Sequence, residues 1–244
     1  MLSPSLNLLS KQGLIWHGDN PTSKTLQNSV EHDNAECSST GFKQLDALLG
    51  SKGWPSGDVM EILTPQPGIG ELSLLTPWLK QASKSKKVAF INPPFIPNAK
   101  LLELRGVASR QLWLINAPNQ KDTLWAQYQC LKSGLCCAVL MWSPIKADTT
   151  STRKLQLAAK DSNTLGVSFR SEKAINQSTL FPYRIHMKPN ENGVDIRFLK
   201  RRGGWETDTI SIEMHTHYRR LTQPNTTTPS SNLGSDSLLT LSAI

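Results

Sequence analysis

A loop between an apolar strand and an amphipathic helix has the layout of a phosphate-binding site. It reads Thr64-Pro-Gln-Pro-Gly-Ile-Gly-Glu71. A working loop has the pattern G-x-x-x-x-G-K-[ST], whose Lys binds the β- and γ-phosphates, whose hydroxyl binds Mg²⁺ and whose backbone N–H groups form a cradle. In this chain Ile69, Gly70 and Glu71 stand in the Gly-Lys-Thr region, so a carboxylate takes the place of the ammonium.

The residue types in this loop argue against nucleotide binding. The carboxylate of Glu71 would repel a polyphosphate, and Pro65 and Pro67 each remove a backbone N–H from the cradle. We therefore interpret Pro65, Pro67, Gly68, Gly70 and Glu71 as the remnant of a nucleotide site, and we expect no nucleotide cofactor.

A second candidate site is the basic turn Lys200-Arg-Arg202, which is followed by two glycines and Trp205. Cations, a flexible backbone and an aromatic ring together suit contact with phosphates and stacking on a base or a side chain. Lys200, Arg201, Arg202 and Trp205 are therefore candidate residues for binding DNA or a partner protein. The alternative, equally weighted, is a solvated hairpin end with no binding role.

Trp16 is a third candidate, because it lies in a short apolar island, Leu14 to Trp16, within a polar N-terminal stretch. Docking on the domain's own surface is the favoured interpretation, and contact with a partner is the alternative. Metal binding is not expected, since His215 and His217 have no further ligand at a suitable spacing.

Composition narrows the class of partner and compartment. The chain has 244 residues and a net charge of +8, which favours an acidic partner, nucleic acid first and an acidic protein surface second, over a merely soluble basic protein. The four cysteines form no C-x-x-C pair, and Cys136 and Cys137 lie in an apolar run, as in reduced cytosolic proteins. No stretch has the length of a membrane span or the pattern of a leader peptide, so we expect a cytoplasmic protein without membrane contact.

Short apolar runs alternate with helical patterns, as in a doubly wound, mainly parallel sheet covered by helices. After residue 183 the apolar residues alternate with polar ones at period two, which predicts an antiparallel C-terminal extension with a turn at residues 190–193. The predicted strands are 59–63, 88–91, 112–115, 136–142, 165–169, 183–187, 194–199 and 209–214. The run 40–50 is predicted to be a turn followed by a short helix that stops at Gly50, and the other predicted helices are 71–82, 100–104, 123–134 and 152–161.

These patterns divide the chain into three parts. Residues 1–34 are predicted to be an N-terminal extension and linker, residues 35–214 one α/β domain, and residues 215–244 a disordered tail. The tail ends in the apolar peptide Leu238 to Ile244, which is either a docking peptide or a frayed terminus.

The run from Ser39 to Ile62 resembles the start of the RecA-type ATPase core, where Thr-Gly-x-x-x-Leu-Asp and Gly-Gly-x-Pro-x-Gly precede a strand that begins with Glu. The stretches Lys160 to Leu165 and Lys200 to Gly204 are similar to later parts of that core. More narrowly, Ile15 to Gly18, Gly68 to Leu75 and Leu199 to Gly203 resemble the ImuA family of RecA-like proteins associated with translesion DNA synthesis. The related SulA cell-division inhibitors share the middle of this pattern.

The chain departs from the RecA-type pattern at each catalytic position. The strand that should deliver a catalytic Glu leads instead into Asn92-Pro-Pro94, and the strand that should end in a Mg²⁺-supporting Asp ends at Trp142 and Ser143. Lys, Glu and Asp are all missing, which removes the phosphate clamp, water activation and metal support together. We therefore expect no ATP hydrolysis.

The resemblance to ImuA implies a non-catalytic adaptor in SOS-induced, error-prone DNA synthesis. Its implied partners are an ImuB-like homologue of Y-family polymerases and a C-family error-prone polymerase, with RecA itself and DNA as further candidates. The alternative is a SulA-like division inhibitor that binds FtsZ, since a basic chain would also suit that acidic partner. The chain length and the Lys-Arg-Arg-Gly-Gly hairpin favour the adaptor.

Overall fold

The computed structural model describes the backbone of residues 15–17 and the whole of residues 39–50, 53–142 and 148–214. Its nine strands are β1 (Ile15–His17), β2 (Val59–Thr64), β3 (Lys87–Ile91), β4 (Leu112–Ile115), β5 (Cys136–Trp142), β6 (Leu165–Ser171), β7 (Tyr183–Pro189), β8 (Gly193–Lys200) and β9 (Ile210–Glu213). The helices are α1 (Lys43–Leu48), α2 (Glu71–Ala82), α3 (Ala99–Leu104), α4 (Gln120–Lys132) and α5 (Thr149–Ser162), with single 3₁₀ turns at Ser109–Gln111 and Glu172–Ala174.

All nine strands belong to one sheet in the order β1-β4-β3-β5-β6-β2-β7-β8-β9. Strands β2 to β7 are parallel where they pair, whereas β7, β8 and β9 are antiparallel. The fold class predicted from the sequence, a mainly parallel α/β sheet with an antiparallel C-terminal extension, is confirmed. We call the side where β2 to β6 end the carboxyl edge, and the side where they begin the amino edge.

The buried strands carry apolar residues toward both faces of the sheet because helices cover both. Phe90 and Leu140 pack in one core with α1, α2 and α3, while their chain neighbours Ile91 and Met141 pack in a second core with α4 and α5. The continuous apolar runs of the sequence therefore mark strands between two helical layers.

The antiparallel extension is covered on one face only. Ile185, Ile196 and Phe198 are fully buried in the core that contains α2, whereas the intervening His186 and Arg197 are less buried and polar. This is the alternation at period two that the sequence shows. The predicted turn is also present, since the Asn190 N–H donates to the Gly193 carbonyl at 3.0 Å.

Strand β1 adds part of the predicted N-terminal extension to the sheet. It pairs antiparallel with β4, with Trp16 opposite Leu114, so the backbone at Trp16 lies on the domain's own edge strand. The predicted boundary at residue 34 therefore separates parts of one sheet. The remainder of the predicted linker, and the whole predicted tail of residues 215–244, lie outside the described residues.

Helix α5 begins three residues before its predicted start at Thr152. The carboxylate of Asp148 accepts hydrogen bonds from the backbone N–H groups of Thr150 and Ser151, at 3.2 and 3.4 Å. Such a cap fixes a helix start, and the sequence analysis did not identify it. None of the helices in the described part of the chain is long and apolar enough to cross a membrane.

We predict that the three cysteines inside this fold do not react while the chain is folded. Cys130, Cys136 and Cys137 are buried, and burial raises the pKa of Cys137 to about 12. A hydrogen bond with Cys130, together with burial, raises the pKa of Cys136. Because the thiolate is the reactive form, iodoacetamide at pH 8 should label these three only after denaturation.

Peptide mass spectrometry measures this labelling site by site, in the folded and in the denatured protein. Labelling of Cys136 or Cys137 in the folded protein would contradict the prediction.

Candidate functional site

The degenerate loop, residues 65–71, lies at the carboxyl edge between β2 and α2. Gly68 and Gly70 have φ values of 87° and 115°, which glycine adopts without strain. Gly70 is also the N-cap of α2. The loop therefore places backbone N–H groups at the start of a helix, the usual arrangement of a phosphate cradle.

The side chain of Glu71 occupies this cradle. Its Oε1 accepts a hydrogen bond from the Gly68 N–H at 2.7 Å, and its Oε2 accepts one from the Gly70 N–H at 3.2 Å. Glu71 is only 5% exposed. A carboxylate at a helix N-terminus is electrostatically favourable, so the chain supplies its own anion where a nucleotide-binding loop would hold a phosphate.

The residue after β3 has a structural role. Asn92 lies at φ 49°, and its side chain donates to the Ala117 carbonyl at 3.2 Å and to Thr123 Oγ1 at 3.0 Å. Its Oδ1 accepts from the Ala117 N–H at 2.7 Å. Asn92 therefore ties the end of β3 to the end of β4 and the start of α4, in the position where the RecA-type pattern places its catalytic Glu.

Trp142, at the end of β5, lies between two other rings. Its ring centroid is 4.5 Å from that of Phe169 and 6.0 Å from that of Phe90, with interplanar angles of 19° and 7°. The stacked ring of Trp142 thus stands where the RecA-type pattern has an Asp that supports Mg²⁺. Among the described residues no group of three His, Cys, Asp or Glu side chains is placed to hold a metal ion.

A pocket of about 450 Å³ opens at the carboxyl edge beside the degenerate loop. We call it the edge pocket. Ligands of open α/β sheets bind in this position, outside the carboxyl ends of the strands. Its wall combines apolar and charged groups: Thr64, Pro65, Gln66, Pro67, Glu71, Asn92, Pro94, Trp142, Phe169, Arg170, Ser171, Lys173, Ala174 and Gln177.

Behind the pocket wall lies a charge cluster of one carboxylate and two guanidinium groups. Glu61 of β2 is fully buried; Arg170 Nη1 lies 2.7 Å from its Oε1, and Arg184 Nε lies 2.6 Å from its Oε2. Arg184 stands opposite Glu61 on the neighbouring strand β7, and Arg170 lies on β6 on the other side. The sheet register thus brings the three charges together.

Arg184 also fixes the connection between β6 and β7. Its Nη1 donates to the Ile175 and Gln177 carbonyls at 2.9 and 2.7 Å, and its Nη2 donates to the Ala174 carbonyl at 2.6 Å. Sequence reasoning missed this cluster. The available signal was a Glu inside the apolar strand 59–63, because a buried carboxylate requires a cationic partner.

The basic turn predicted as a binding site is docked on the domain. Lys200 Nζ donates to the Thr179 carbonyl at 3.0 Å, and Arg201 Nη1 donates to the Leu48 carbonyl at 2.5 Å. Arg202 Nη2 forms an ion pair with Asp58 at 2.8 Å. The three cations thus have partners within the domain, although the Arg202 side chain remains 65% exposed.

Trp205 differs from its neighbours, because it is 90% exposed. It has the highest exposure among the large apolar side chains of the described residues. Tryptophan is enriched among the residues that contribute most to binding at protein interfaces, so Trp205 is a candidate contact residue.

The structure does not bring the candidate residues together. The degenerate loop is at the carboxyl edge, whereas the basic turn contacts Asp58 just before β2 and therefore lies at the amino edge. Trp16 belongs to β1 at one end of the strand order, and the basic turn connects β8 and β9 at the other. The chain therefore carries three separate candidate surfaces.

Comparison with solved structures identifies the architecture. The crystal structure of the RadB recombinase matches with a TM-score of 0.59 and 15% identity, over 75% of this chain and 97% of that one. The fold is RecA-like. At this identity the similarity establishes the fold and leaves the activity open.

SulA from Pseudomonas aeruginosa matches with a TM-score of 0.38 and 21% identity, over 46% of this chain and 97% of SulA. No protein-family model matches the chain, and no curated protein matches it in sequence.

We predict that Glu61→Gln destabilises the fold by about 3–5 kcal/mol, because it leaves two buried guanidinium groups without their carboxylate. Urea unfolding followed by circular dichroism measures the change. The matched control is Glu206→Gln, which breaks an ion pair with Arg197 whose partners are each 48% exposed and should cost less than about 1 kcal/mol. Equal losses for the two variants would refute a special role for the buried cluster.

We also predict that Glu71→Ala lowers the free energy of unfolding by about 1–2 kcal/mol, the usual cost of leaving a buried donor without its acceptor. The reason is that the Gly68 and Gly70 N–H groups lose their acceptor. The same urea measurement tests it, with Glu103→Ala on α3 as the exposed control. A loss no larger than that of the control would show that the carboxylate does not hold the loop.

Proposed function

We propose that this protein is a non-catalytic RecA-like adaptor in SOS-induced, error-prone translesion DNA synthesis. In this proposal it works in the cytoplasm by binding polymerase partners, and it performs no chemistry of its own. The observation that carries the proposal is the carboxylate of Glu71 in the phosphate cradle. A RecA-like domain with that cradle filled from within is suited to serve as a scaffold.

Three features support the absence of ATP turnover. A fixed carboxylate occupies the phosphate position, Asn92 is committed to holding β3 and β4 together, and Trp142 is stacked between aromatic rings. Restoring any single catalytic group would leave the other two missing. Loss of each is expected to cost orders of magnitude in rate.

We predict that the purified full-length protein neither hydrolyses ATP nor gains thermal stability from MgATP, with or without single-stranded DNA. Binding of a ligand to the folded state at a hundred times its Kd would add about 2.7 kcal/mol, so a thermal shift is a sensitive test. DNA-stimulated turnover that co-purifies with the folded protein and whose rate changes in Glu71→Ala would overturn the non-catalytic assignment.

The proposed partners are an ImuB-like homologue of Y-family polymerases and a C-family error-prone polymerase, with RecA and DNA as further candidates. Support for protein binding comes from the exposed ring of Trp205, and support for a DNA-proximal role comes from the net charge of +8. The docked state of Arg201 and Arg202 shifts the proposed role of the basic turn from DNA contact toward presenting Trp205.

The test is affinity capture of the tagged full-length protein from DNA-damaged cells, with partners identified by mass spectrometry. We predict that the error-prone polymerases are recovered, and that Trp205→Ala reduces their recovery about tenfold or more, as for an aromatic hot spot. The variant should leave stability unchanged because the side chain is 90% exposed.

The matched control is Leu157→Ala on α5, which removes an apolar side chain that is 61% exposed on another surface. Recovery of FtsZ without any polymerase would refute the adaptor proposal and favour a SulA-like division inhibitor on the same scaffold.

A further inference from the structure

We propose that the edge pocket is a docking site for a linear peptide of a partner protein, which inserts an apolar or aromatic side chain beside a carboxylate. The inference rests on the proposed function only in assuming that the partner is a protein. It adds where that partner binds and by what chemistry.

The inner wall of the pocket is suited to an apolar anchor. The rings of Trp142 and Phe169 form one side, and Pro65, Pro67 and Pro94 extend the apolar surface toward the loop. A pocket of about 450 Å³ is large enough for one or two side chains and their backbone. Rigid aromatic and proline surfaces offer contact area at a low entropic cost.

The rim continues this surface into solvent. Phe95 and Ile96, which follow the pocket residue Pro94, are 67% and 83% exposed. They belong to the run Asn92-Pro-Pro-Phe-Ile-Pro97, whose prolines restrict the backbone and whose Asn92 is fixed to Ala117. Two large apolar side chains held open next to a pocket indicate a protein contact.

The net charge of the pocket indicates which charge a bound peptide should carry. The residues that line the pocket include two cations, Arg170 and Lys173, and one carboxylate, Glu71, which leaves one positive charge in excess among them. Lys173 is exposed, so its charge is available to a ligand. A carboxylate next to the apolar anchor would complete the balance.

The same features disfavour the other ligands of such a position. A phosphate group would compete with the carboxylate of Glu71 for the N–H groups of Gly68 and Gly70. A nucleic-acid backbone would find Lys173 and Arg170, the latter already paired with Glu61, as the cations of this pocket wall, too few to neutralise a run of phosphates. An acidic, apolar peptide meets neither obstacle.

The experiment is selection of 12-residue random peptides displayed on phage against the immobilised full-length protein, followed by fluorescence polarisation with the enriched peptides as synthetic probes. We expect enriched sequences to share Asp or Glu within two positions of an aromatic or large aliphatic residue. Lys173→Glu and the double variant Phe95→Ala, Ile96→Ala should each weaken binding about tenfold or more.

The matched controls are Lys84→Glu, the same charge change in the turn that follows α2 at the amino edge, and Leu157→Ala, an exposed apolar residue on α5. Both should bind the peptides as the unchanged protein does. Selection repeated on Lys173→Glu should enrich Lys or Arg beside the apolar residue, an outcome that general loss of folding could not produce.

Three outcomes would overturn the inference. The first is that the pocket variants and the unchanged protein bind the peptides equally well. The second is that MgATP displaces the peptides. The third is full competition by a peptide that copies residues 230–244, which would make the chain's own tail the occupant. If the pocket variants weaken peptide binding as expected, but affinity capture recovers FtsZ and no polymerase, the proposed function is refuted while the docking site is supported.

Discussion

The structure depends on one buried charge cluster, Glu61 between Arg170 and Arg184. A carboxylate in the middle of a central strand is costly unless its charge is met, and here guanidinium groups from both neighbouring strands meet it. The consequences extend to the carboxyl edge. Arg184 holds the connection between β6 and β7 by three carbonyl contacts, and Arg170 forms part of the wall of the edge pocket. The shape of that edge therefore follows from the need to neutralise Glu61.

At the same edge, the loop has the backbone arrangement of a phosphate-binding loop but carries different side chains. The glycines still direct N–H groups to the start of α2, but the carboxylate of Glu71 accepts their hydrogen bonds. Asn92 and Trp142, at the ends of β3 and β5, are likewise held in packing and hydrogen bonding. These contacts hold the loop and the strand ends in place, which suits the docking role proposed for this edge.

The surfaces proposed for partner contact are distributed around the domain. The edge pocket and the apolar rim of Phe95 and Ile96 lie at the carboxyl edge, while Trp205 projects from the amino edge on a hairpin anchored by Arg201 and Arg202. The proposed role of an adaptor that joins two proteins requires separate contact surfaces of this kind, and a rigid sheet between them would fix their relative positions.

The sequence by itself determined the layered α/β architecture, the antiparallel extension and the departure of the loop from the phosphate-binding pattern. The architecture and the extension follow from the period of the hydrophobic residues, and the character of the loop follows from Pro65, Pro67 and Glu71. Both are local properties of the chain. Only the tertiary structure decided which charged residues pair with one another. The pairing of Glu61 with Arg170 and Arg184, and the docking of Arg202 on Asp58, join residues more than a hundred positions apart. Strand register sets such contacts, because neighbours across a sheet are chosen by the packing of whole elements, and no local pattern records that choice.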